Sequence, residues 1–387
     1  MKAGYELNQK RSAHHFLYRK NNKYYNIAMQ ETKWEFYTEN ERAWEAMLNA
    51  CKEAKESIDL EQFIFVPDDV GNQFIEVCEE RAKAGVKVRF IWDASGSWSF
   101  FNSSIIDNLK EKGIEMIFFR TLLPEFMKMS NYRSWYFRNH RRTLVIDKKV
   151  GFTGSVCTWE KIVDWKDTHI KIEGRVVEDM QITFNRMWDR AHGKKVPRKH
   201  YNKKRDYEFQ YITNNPVPRN RHLYKKILEG IKNAKKYIYI TTPYFVPTHR
   251  LARVIRQAAR RGIDVKIIMP KASDHPIVDL GARTFFHNLL KSGVKIYLHN
   301  KSMIHKKTII IDGNWASMGT LNMDNISLRY NFEANIVSTN IKFAEDLLSH
   351  FTYDMQYTEE VTISDWNNRF FLDKIIIFFA KFIRRFL

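Results

Sequence analysis

Hydrophobic and polar positions alternate along this chain in two patterns, which predict helices and strands in succession. In some stretches apolar residues return every three or four positions, as they do on one face of an amphipathic helix. Other stretches are short, apolar and rich in β-branched or aromatic residues, such as YIYIT at 237–241, and these predict strands. Helices that alternate with apolar strands predict an α/β fold.

The order of these predicted elements occurs twice, because two parts of the chain align with each other. AKESIDLEQFIFVP at 54–67 aligns with AKKYIYITTPYFVP at 234–247. AGVKVRFI aligns with RGIDVKII, and HRRTLVID from His140 aligns with HKKTIIID from His305. The separation between the two copies shrinks along the chain, which places an insertion in the first half. Each half is therefore predicted to contain a helix, a strand, a second helix, a strand and then a strand that carries a histidine.

A basic, proline-containing stretch without periodicity separates the two repeats. Its sequence, RAHGKKVPRKHYNKKRD at 190–206, is typical of a solvated linker or surface loop. The expected divisions are an N-terminal extension at 1–30, a first half at 31–195, a basic linker at 196–209, a second half at 210–357 and a C-terminal amphipathic tail at 358–387.

Composition narrows the class of protein. The 387 residues carry 64 Lys and Arg against 44 Asp and Glu, and a net charge of +20 favours an anionic partner, either nucleic acid or anionic lipid. A hydrophobic content of 44% argues against global disorder. The three cysteines lack Cys-x-x-Cys spacing, which argues against a disulfide framework or a thiolate zinc site. We expect neither a signal peptide nor a membrane-spanning segment, because no run of about 18 apolar residues occurs.

Each half carries one copy of a histidine motif in which a cation follows two positions later and an aspartate seven positions later. Residues two apart on a strand share a face, so each histidine and its cation can meet the same ligand. This combination suits phosphate, because one histidine can attack phosphorus, the other can protonate the leaving oxygen and the cations can hold the remaining oxygens. We expect no metal and no other cofactor in such a site. The residues are His140, Arg142 and Asp147 in the first half, and His305, Lys307 and Asp312 in the second.

The two aspartates, Asp147 and Asp312, lie on the opposite strand face from their histidines, because seven is an odd spacing. We expect them to fix the following turn rather than contact substrate. Beyond each aspartate, at the same spacing in both halves, a second repeated block begins, Gly-Ser-Val-Cys at 154–157 and Gly-Thr-Leu-Asn at 319–322. The repeat therefore continues past the histidine motif.

The duplicated motif resembles the phospholipase D superfamily, in which two such halves form one active site. Further stretches look like its bacterial cardiolipin synthase branch: DASGS at 93–97, WKDTH at 165–169, TPYFVP at 242–247 and NFEAN at 331–335. The resemblance implies two α/β/α halves packed about a pseudo-twofold axis. It also implies that His140 becomes a phosphohistidine, that His305 is the general acid, and that an acid further along the chain from each histidine orients the imidazole. The supporting residues that it implies are Ser155, Asp167, Thr320, Asn322 and Glu333.

Two positions in the first half depart from the family pattern. Arg142 stands where the family has lysine and Cys157 where it has asparagine, whereas Lys307 and Asn322 keep the pattern in the second half. Arginine retains the positive charge and offers a two-pronged donor to phosphate. We therefore expect an active enzyme with an asymmetric site.

The C-terminal tail bears on the substrate, since the superfamily includes nucleases as well as lipid enzymes. On a helix its basic residues form one edge and its aromatic residues a separate face, which is typical of a helix in the membrane plane, with docking on the core as the alternative. An apolar insertion in the first half suits either acyl chains or core packing. The expected membrane-binding residues are Lys374, Phe379, Lys381, Phe382, Arg385 and Phe386, and the insertion residues are Trp98, Phe100, Phe101, Leu122, Leu123, Phe126 and Met127.

These features together favour a cardiolipin synthase-like phosphatidyltransferase, peripheral to the cytoplasmic side of the cell membrane. It would join phosphatidylglycerol molecules through a phosphohistidine and release glycerol. A hydrolytic phospholipase D is one alternative, a nuclease or nucleic-acid-binding module that uses the basic linker is another, and a non-catalytic lipid-binding scaffold is a third. The expected partners are anionic phospholipids rather than nucleic acid. The sequence leaves the donor, the acceptor alcohol and the oligomeric state open.

Overall fold

Two mixed β-sheets, one from each half, organise the computed structural model of this chain. The elements given below lie in one compact unit, Thr32–Leu387. The N-terminal extension at 1–30 and most of the basic linker lie outside the described residues, as do Phe101, Leu122, Leu123, Phe126 and Met127 of the insertion. The structure describes residues 31–100, 104–119, 137–196, 208–369 and 371–384.

The first half contains β1 (Lys33–Glu39), α1 (Asn40–Glu53), β2 (Ser57–Gln62), α2 (Asp69–Lys83), β3 (Lys87–Asp93), α3 (Ser104–Glu111), β4 (Glu115–Phe119), β5 (Thr143–Ile146), β6 (Val150–Gly154), β7 (Lys166–Glu173) and α4 (Val176–Ala191). The strand order in its sheet is β1-β7-β6-β5-β2-β3-β4. β2, β3 and β4 are parallel, and the strands on the other side of β2 continue the sheet antiparallel.

The second half contains β8 (Phe209–Asn214), α5 (His222–Asn233), β9 (Tyr237–Thr241), α6 (His249–Arg260), β10 (Asp264–Pro270), α7 (Pro276–Leu290), β11 (Lys295–His299), β12 (Thr308–Ile311), β13 (Trp315–Gly319), α8 (Asn325–Arg329), β14 (Glu333–Ser338), α9 (Ile341–Met355) and β15 (Thr358–Val361). The tail adds α10 (Ile363–Asn368) and α11 (Phe371–Ile383). The strand order is β15-β11-β10-β9-β12-β13-β14-β8. Apart from the edge strand β15, this is the order of the first sheet.

The predicted α/β repeat is confirmed, and the structure adds elements to it. In each half a helix and a further parallel strand, α3 with β4 and α7 with β11, lie between the second predicted strand and the histidine motif. The sequence analysis also did not predict the edge strand at the antiparallel end of each sheet, β1 or β8, or the helices α4 and α9. The strands in this set have only five to seven residues, so each gives little periodicity from which to recognise it.

The two halves share one hydrophobic cluster, which holds their sheets together. Val145 and Ile170 of the first half pack there with Ile310, Ile336 and Phe343 of the second, and all five are buried. Each sheet also has a separate core on its other face, beneath its own helices. The shared cluster brings the segments before β5 and β12 to the same place, between the halves.

Candidate active site

Both motif histidines lie just before the central strands β5 and β12 rather than inside them. Regular strand pairing begins at Thr143 and Thr308, three residues after each histidine. The prediction that the histidines lie within these strands is therefore wrong by three positions. The histidine backbones bond to the opposite half instead: the His140 N–H donates to the Phe332 carbonyl at 3.0 Å and the His305 N–H donates to the Lys166 carbonyl at 2.7 Å. Each half therefore positions the histidine of the other.

The two imidazoles are oriented by buried acids, and these acids also come from the opposite half. Nδ1 of His140 lies 2.9 Å from a carboxylate oxygen of Glu333, and Nδ1 of His305 lies 2.7 Å from a carboxylate oxygen of Asp167. Both acids are fully buried. The acid that follows each histidine in the sequence thus serves the other histidine, and this crossed arrangement gives a site that neither half forms alone.

The two motif cations are buried beside the histidines but make different contacts. Arg142 donates from Nη1 to the His140 carbonyl at 3.1 Å and from Nε to Cys157 Sγ at 2.9 Å, and its Nη2 lies 3.2 Å from His140 Nε2. Lys307 donates to the His305 carbonyl at 2.8 Å. Because a guanidinium can only donate, its contact with His140 requires a lone pair on Nε2 and places the ring hydrogen on Nδ1.

Glycines at the ends of β6 and β13 allow the neighbouring strands to bring in the two acids. Gly154 has φ +150° and Gly319 has φ +158°, a conformation that side chains disfavour. A Cβ at Gly154 would lie 2.3 Å from the Thr168 carbonyl oxygen, and one at Gly319 would lie 2.4 Å from that of Ala334. The repeated glycines therefore permit β7 and β14, and with them Asp167 and Glu333, to approach the histidines.

The other residues of the second repeated block complete the buried shell. Thr320 donates to Glu333 at 2.5 Å, and Ser155 lies against Asp167 and accepts a hydrogen bond from the Thr168 N–H at 3.0 Å. Oδ1 of Asn322 is buried and has no hydrogen-bond partner among the described residues. Asn322 can therefore offer a polar contact to a ligand, and Cys157 at the equivalent first-half position already contacts Arg142.

The motif aspartates hold turns and do not join the buried site. Asp147 accepts backbone N–H groups of residues 55–57, and Asp312 accepts those of residues 235–237, at 2.7–3.0 Å. Both lie in left-handed turns, with φ +51° and +55°. Asp147 and Asp312 thus tie their turns to the backbone at the start of β2 and of β9, as expected from their spacing.

Burial and positive charge favour the neutral form of both imidazoles. Burial, followed by Arg142 and Lys307, holds the pKa of His140 well below its usual range. Burial and Lys307 lower the pKa of His305 to about 4, even though Asp167 opposes them. Each histidine feels the cation of the other half, so the four groups share one electrostatic environment.

The second-half cation itself titrates near neutral pH. Burial and then Arg142 lower the pKa of Lys307 to about 7. Burial alone would raise the pKa of Asp167, but His305 and Lys307 outweigh it and leave that pKa below its usual range. Burial raises the pKa of Glu333 above its usual range. The site therefore combines two neutral imidazoles, two cations and an ionised aspartate, and it is suited to bind an anion such as a phosphodiester.

Both halves match a known family. Residues 47–188 and 227–355 match the family described as cardiolipin synthase, PLD-like domain. The chain belongs to this family of phospholipase D-type phosphatidyltransferases. Cardiolipin synthase of Halalkalibacterium halodurans is 34% identical over 352 residues, which are 87% of this chain and 69% of that protein. Cardiolipin synthase of Clostridium perfringens strain 13 is 31% identical over 363 residues, which are 89% of this chain and 75% of that protein.

Solved structures agree with the fold. Phosphatidylserine synthase of Haemophilus influenzae superposes with a TM-score of 0.71 over 92% of this chain and 95% of that one, at 12% identity. Polyphosphate kinase of Porphyromonas gingivalis gives a TM-score of 0.60 over 92% of this chain and 54% of that one, at 10% identity. At such identities the likeness concerns the fold alone, and it confirms the two phospholipase D-type halves.

The segment before His140 is held by buried residues whose role the sequence did not reveal. Arg138 donates from Nε to Asp93 at 2.9 Å, and the Asn139 N–H donates to the same carboxylate at 2.8 Å. The Asn139 amide donates to Glu61 at 2.8 Å. Asp93 ends β3, so a carboxylate at the carboxyl end of a parallel strand was the available signal. These contacts fix the first-half loop that presents the histidine.

The tail forms the expected helix, and it both docks and exposes an aromatic face. Ile377 and Ala380 are buried against α7, where Arg384 donates to Thr284 at 3.0 Å. Phe379 and Phe382 point away and are 60% and 64% exposed. The side chain of Lys374 and the residues Arg385 and Phe386 lie outside the described part of the chain.

Two further surface features concern membranes. Among the described residues, no helix is both long and apolar enough to cross a bilayer. Of the insertion residues expected to contact either acyl chains or the core, Trp98 is 52% exposed, and the side chain of Phe100 lies outside the described part of the chain. Lys381 is exposed on α11, next to the exposed phenylalanines.

Proposed function

We propose that this chain is a cardiolipin synthase that joins two phosphatidylglycerol molecules and releases glycerol. The observation that carries the proposal is the pair of buried histidines, each oriented by an acid from the opposite half and flanked by a cation, in a chain of the cardiolipin synthase family. Two histidines with separate acids suit a double displacement at one phosphorus. The halves at 31–195 and 210–357 act as a single catalytic unit.

In the first step the neutral imidazole of His140 attacks the phosphorus of one phosphatidylglycerol through Nε2. The Nε2–P bond forms as the bond from phosphorus to the headgroup glycerol breaks, and His305 gives its Nε2 proton to the departing oxygen. Arg142 and Lys307 hold the non-bridging oxygens as negative charge develops. Glu333 accepts the Nδ1 hydrogen of His140 and stabilises the phosphohistidine.

In the second step His305, now neutral, takes a proton from a hydroxyl of another phosphatidylglycerol. That oxygen attacks phosphorus, the P–N bond to His140 breaks, and cardiolipin leaves with His140 neutral and His305 protonated again. Transfer exceeds hydrolysis to the degree that the buried site excludes water.

The low pKa of His305 in the empty site is compatible with its role as an acid. The pKa is low because burial and Lys307 disfavour a further positive charge. A phosphodiester anion offsets the charges of Arg142 and Lys307, and the pKa of His305 then rises. Ionised Asp167 lies on the His305 side, so this imidazole is the one better able to carry the proton.

The test is to trap the intermediate and identify the products. With phosphatidylglycerol labelled in its phosphatidyl group, His305→Ala protein denatured in detergent at mildly alkaline pH, where a phosphohistidine persists, should carry label, and the His140→Ala/His305→Ala double variant should carry none. Label that persists without His140 would reverse the two roles. Wild-type enzyme should release cardiolipin and glycerol, retain activity in EDTA and leave DNA uncleaved, whereas phosphatidic acid as the main product would favour a hydrolytic phospholipase D.

We also propose that the exposed aromatic face of α11 attaches the enzyme peripherally to anionic membrane on the cytoplasmic side. Phe379 and Phe382 can enter the interface while Ile377 keeps the helix docked on the core.

The vesicle test uses Phe379→Ser/Phe382→Ser, which alters exposed positions, and Ile182→Ser as a matched control, since Ile182 is 44% exposed on α4. The double variant should sediment far less with phosphatidylglycerol vesicles at unchanged thermal midpoint, and the control should behave as wild type. Equal sedimentation of all three proteins would refute attachment through α11.

A further inference from the structure

The walls around the two histidines differ in polarity. The Phe63 ring packs 4.8 Å from the His140 ring, whereas the Tyr244 ring lies 6.5 Å from the His305 ring. When the two repeats are aligned, the position of Tyr244 is occupied in the first half by Ile64. The His140 side is therefore apolar where the His305 side offers a hydroxyl.

Tyr244 belongs to a polar cluster that the proposed reaction does not use. Its hydroxyl donates to Asp274 Oδ1 at 2.6 Å, and Nε2 of His275 lies 3.5 Å from Asp274 Oδ2. The rings of Tyr244 and His275 are 5.5 Å apart. The Asp274 side chain is 33% exposed and that of His275 is 60% exposed, so a ligand can reach both.

Among the residues that the structure describes, the first half has no such cluster at the matching place. In the same alignment, continued past the second strand of each repeat, Ser97 takes the position of Asp274. Its hydroxyl accepts the Phe65 N–H at 3.1 Å and donates to the Phe63 carbonyl at 3.2 Å, and the side chain is buried. Ser97 thus closes its loop onto the backbone, whereas Asp274 presents a carboxylate beside the site.

In the proposed reaction, the His140 side and the His305 side of the site face different parts of the substrate. In a displacement at phosphorus the nucleophile and the leaving oxygen lie in line on opposite sides, so the alcohol that His140 displaces from phosphorus lies next to His305. The incoming alcohol follows the same path in reverse. We propose that Tyr244, Asp274 and His275 form the subsite for the free hydroxyls of a glycerol headgroup, first in the leaving alcohol and then in the acceptor; this rests on the proposed function.

The chemistry of the cluster fits a polyol. Burial and Asp274 hold the pKa of Tyr244 above its usual range, so the phenol keeps its proton, donates it to the carboxylate and leaves its oxygen free to accept a hydroxyl. Asp274 can accept a second hydroxyl and His275 can donate to one. A monohydric alcohol would displace water from these groups without replacing its hydrogen bonds, so we expect it to bind more weakly than a polyol.

The experiment compares two substrates that differ by those hydroxyls, phosphatidylglycerol and phosphatidyl-1-propanol, in detergent micelles. The two lipids compete in the same micelles, so phosphatidylglycerol supplies the acceptor hydroxyl for both. The amounts of glycerol and 1-propanol released then give the ratio of kcat/KM values, whichever product forms. The variants are Tyr244→Phe and Asp274→Asn. The matched control is Tyr239→Phe, because Tyr239 makes the same kind of hydrogen bond to Asp264, at 2.8 Å, within the same sheet.

Wild type and the control should prefer phosphatidylglycerol, and both subsite variants should lower that preference about tenfold or more while they still accumulate phosphohistidine. Equal loss of activity on both lipids, with the ratio unchanged, would overturn the subsite and indicate a structural role for the Tyr244–Asp274 contact. Failure of the proposed function shows separately, as wild-type enzyme that forms no cardiolipin, and the headgroup ratio still decides the subsite in that case.

Discussion

The two halves of this enzyme share a strand order but not an active-site chemistry. In both, a histidine before the central strand meets an acid from the other half, and a glycine lets the acid's strand approach. The first half has Arg142 in contact with Cys157. The second has Lys307 at the matching position, and Asn322 Oδ1 has no hydrogen-bond partner among the described residues. The repeat preserves the scaffold, and in the proposed reaction the differences divide the roles at one phosphorus.

The two motif cations differ in how their charge depends on pH. A guanidinium stays charged throughout the physiological range. Lys307 is a cation whose pKa burial and Arg142 lower to about 7. The nucleophile side thus has a fixed charge, and the acid side has a charge that depends on pH and on substrate.

The largest effect is expected from the two acids, whose variants test the crossed pairing. Glu333→Gln and Asp167→Asn should each reduce kcat about a thousandfold, because the imidazoles lose the carboxyl contacts that orient them. Glu333→Gln should resemble a His140 variant and form little phosphohistidine, whereas Asp167→Asn should accumulate it when the protein is denatured at mildly alkaline pH. The reverse pattern of labelling would mean that each acid serves the histidine of its own half.

A smaller effect is expected from pH. His305 and Lys307 must both be protonated when substrate is captured, and both lose protons as pH rises, so kcat/KM should fall with pH and fall more steeply above about 7. Lys307→Arg should remove the steeper part and exceed wild type about thirtyfold at pH 8.5, after normalisation at pH 6.5. Parallel profiles from pH 6 to 9 would exclude Lys307 as the second titrating group.

A change within about tenfold is expected at the first-half cation. Arg142→Lys keeps the charge but leaves Cys157 without its guanidinium contact. Arg142→Lys/Cys157→Asn rebuilds the pair found in the second half and should restore kcat/KM to within about threefold of wild type. Strictly additive effects of the two substitutions would show that these positions are independent.

The smallest effect concerns stability. The unfolded chain holds the Lys307 proton up to about pH 10.4 while the folded chain releases it near 7, so wild-type stability should rise with pH between these values. Lys307→Met removes this slope and the buried charge, and should raise the thermal midpoint at pH 7 by a few degrees. Scans at pH 7 and pH 9 check both statements; the same pH slope in wild type and variant would assign it to other groups.

Sequence analysis could predict those site residues that lie close together in the chain and recur in both repeats. His140 with Arg142 and His305 with Lys307 stand two positions apart in both repeats, so pattern alone revealed them. The crossed contacts join residues 193 and 138 positions apart, and a contact between two folded halves leaves no local periodicity. The resemblance therefore supplied Glu333 and Asp167 as orienting acids, and the structure supplied their partners.

The same reasoning explains the residues that sequence analysis missed. Tyr244 and Asp274 stand on separate loops and meet because β9 and β10 are adjacent parallel strands. Asp93 and Glu61 belong to neighbouring strands of the first sheet and act on His140 through residues 138 and 139. In the tail, periodicity predicted the helix. Its packing against α7 shows which of its side chains are buried, namely Ile377 and Ala380.

The exchange of acids between halves also bears on how the protein is made. A ribosome delivers His140 and Asp167 long before His305 and Glu333, and until the later residues emerge the early histidine has no carboxylate and the early carboxylate has no histidine. A nascent or prematurely terminated chain therefore holds no competent site for attack on the lipids around it. The site can form only after translation has passed both halves, whereas a site contained within one half could form on an incomplete chain.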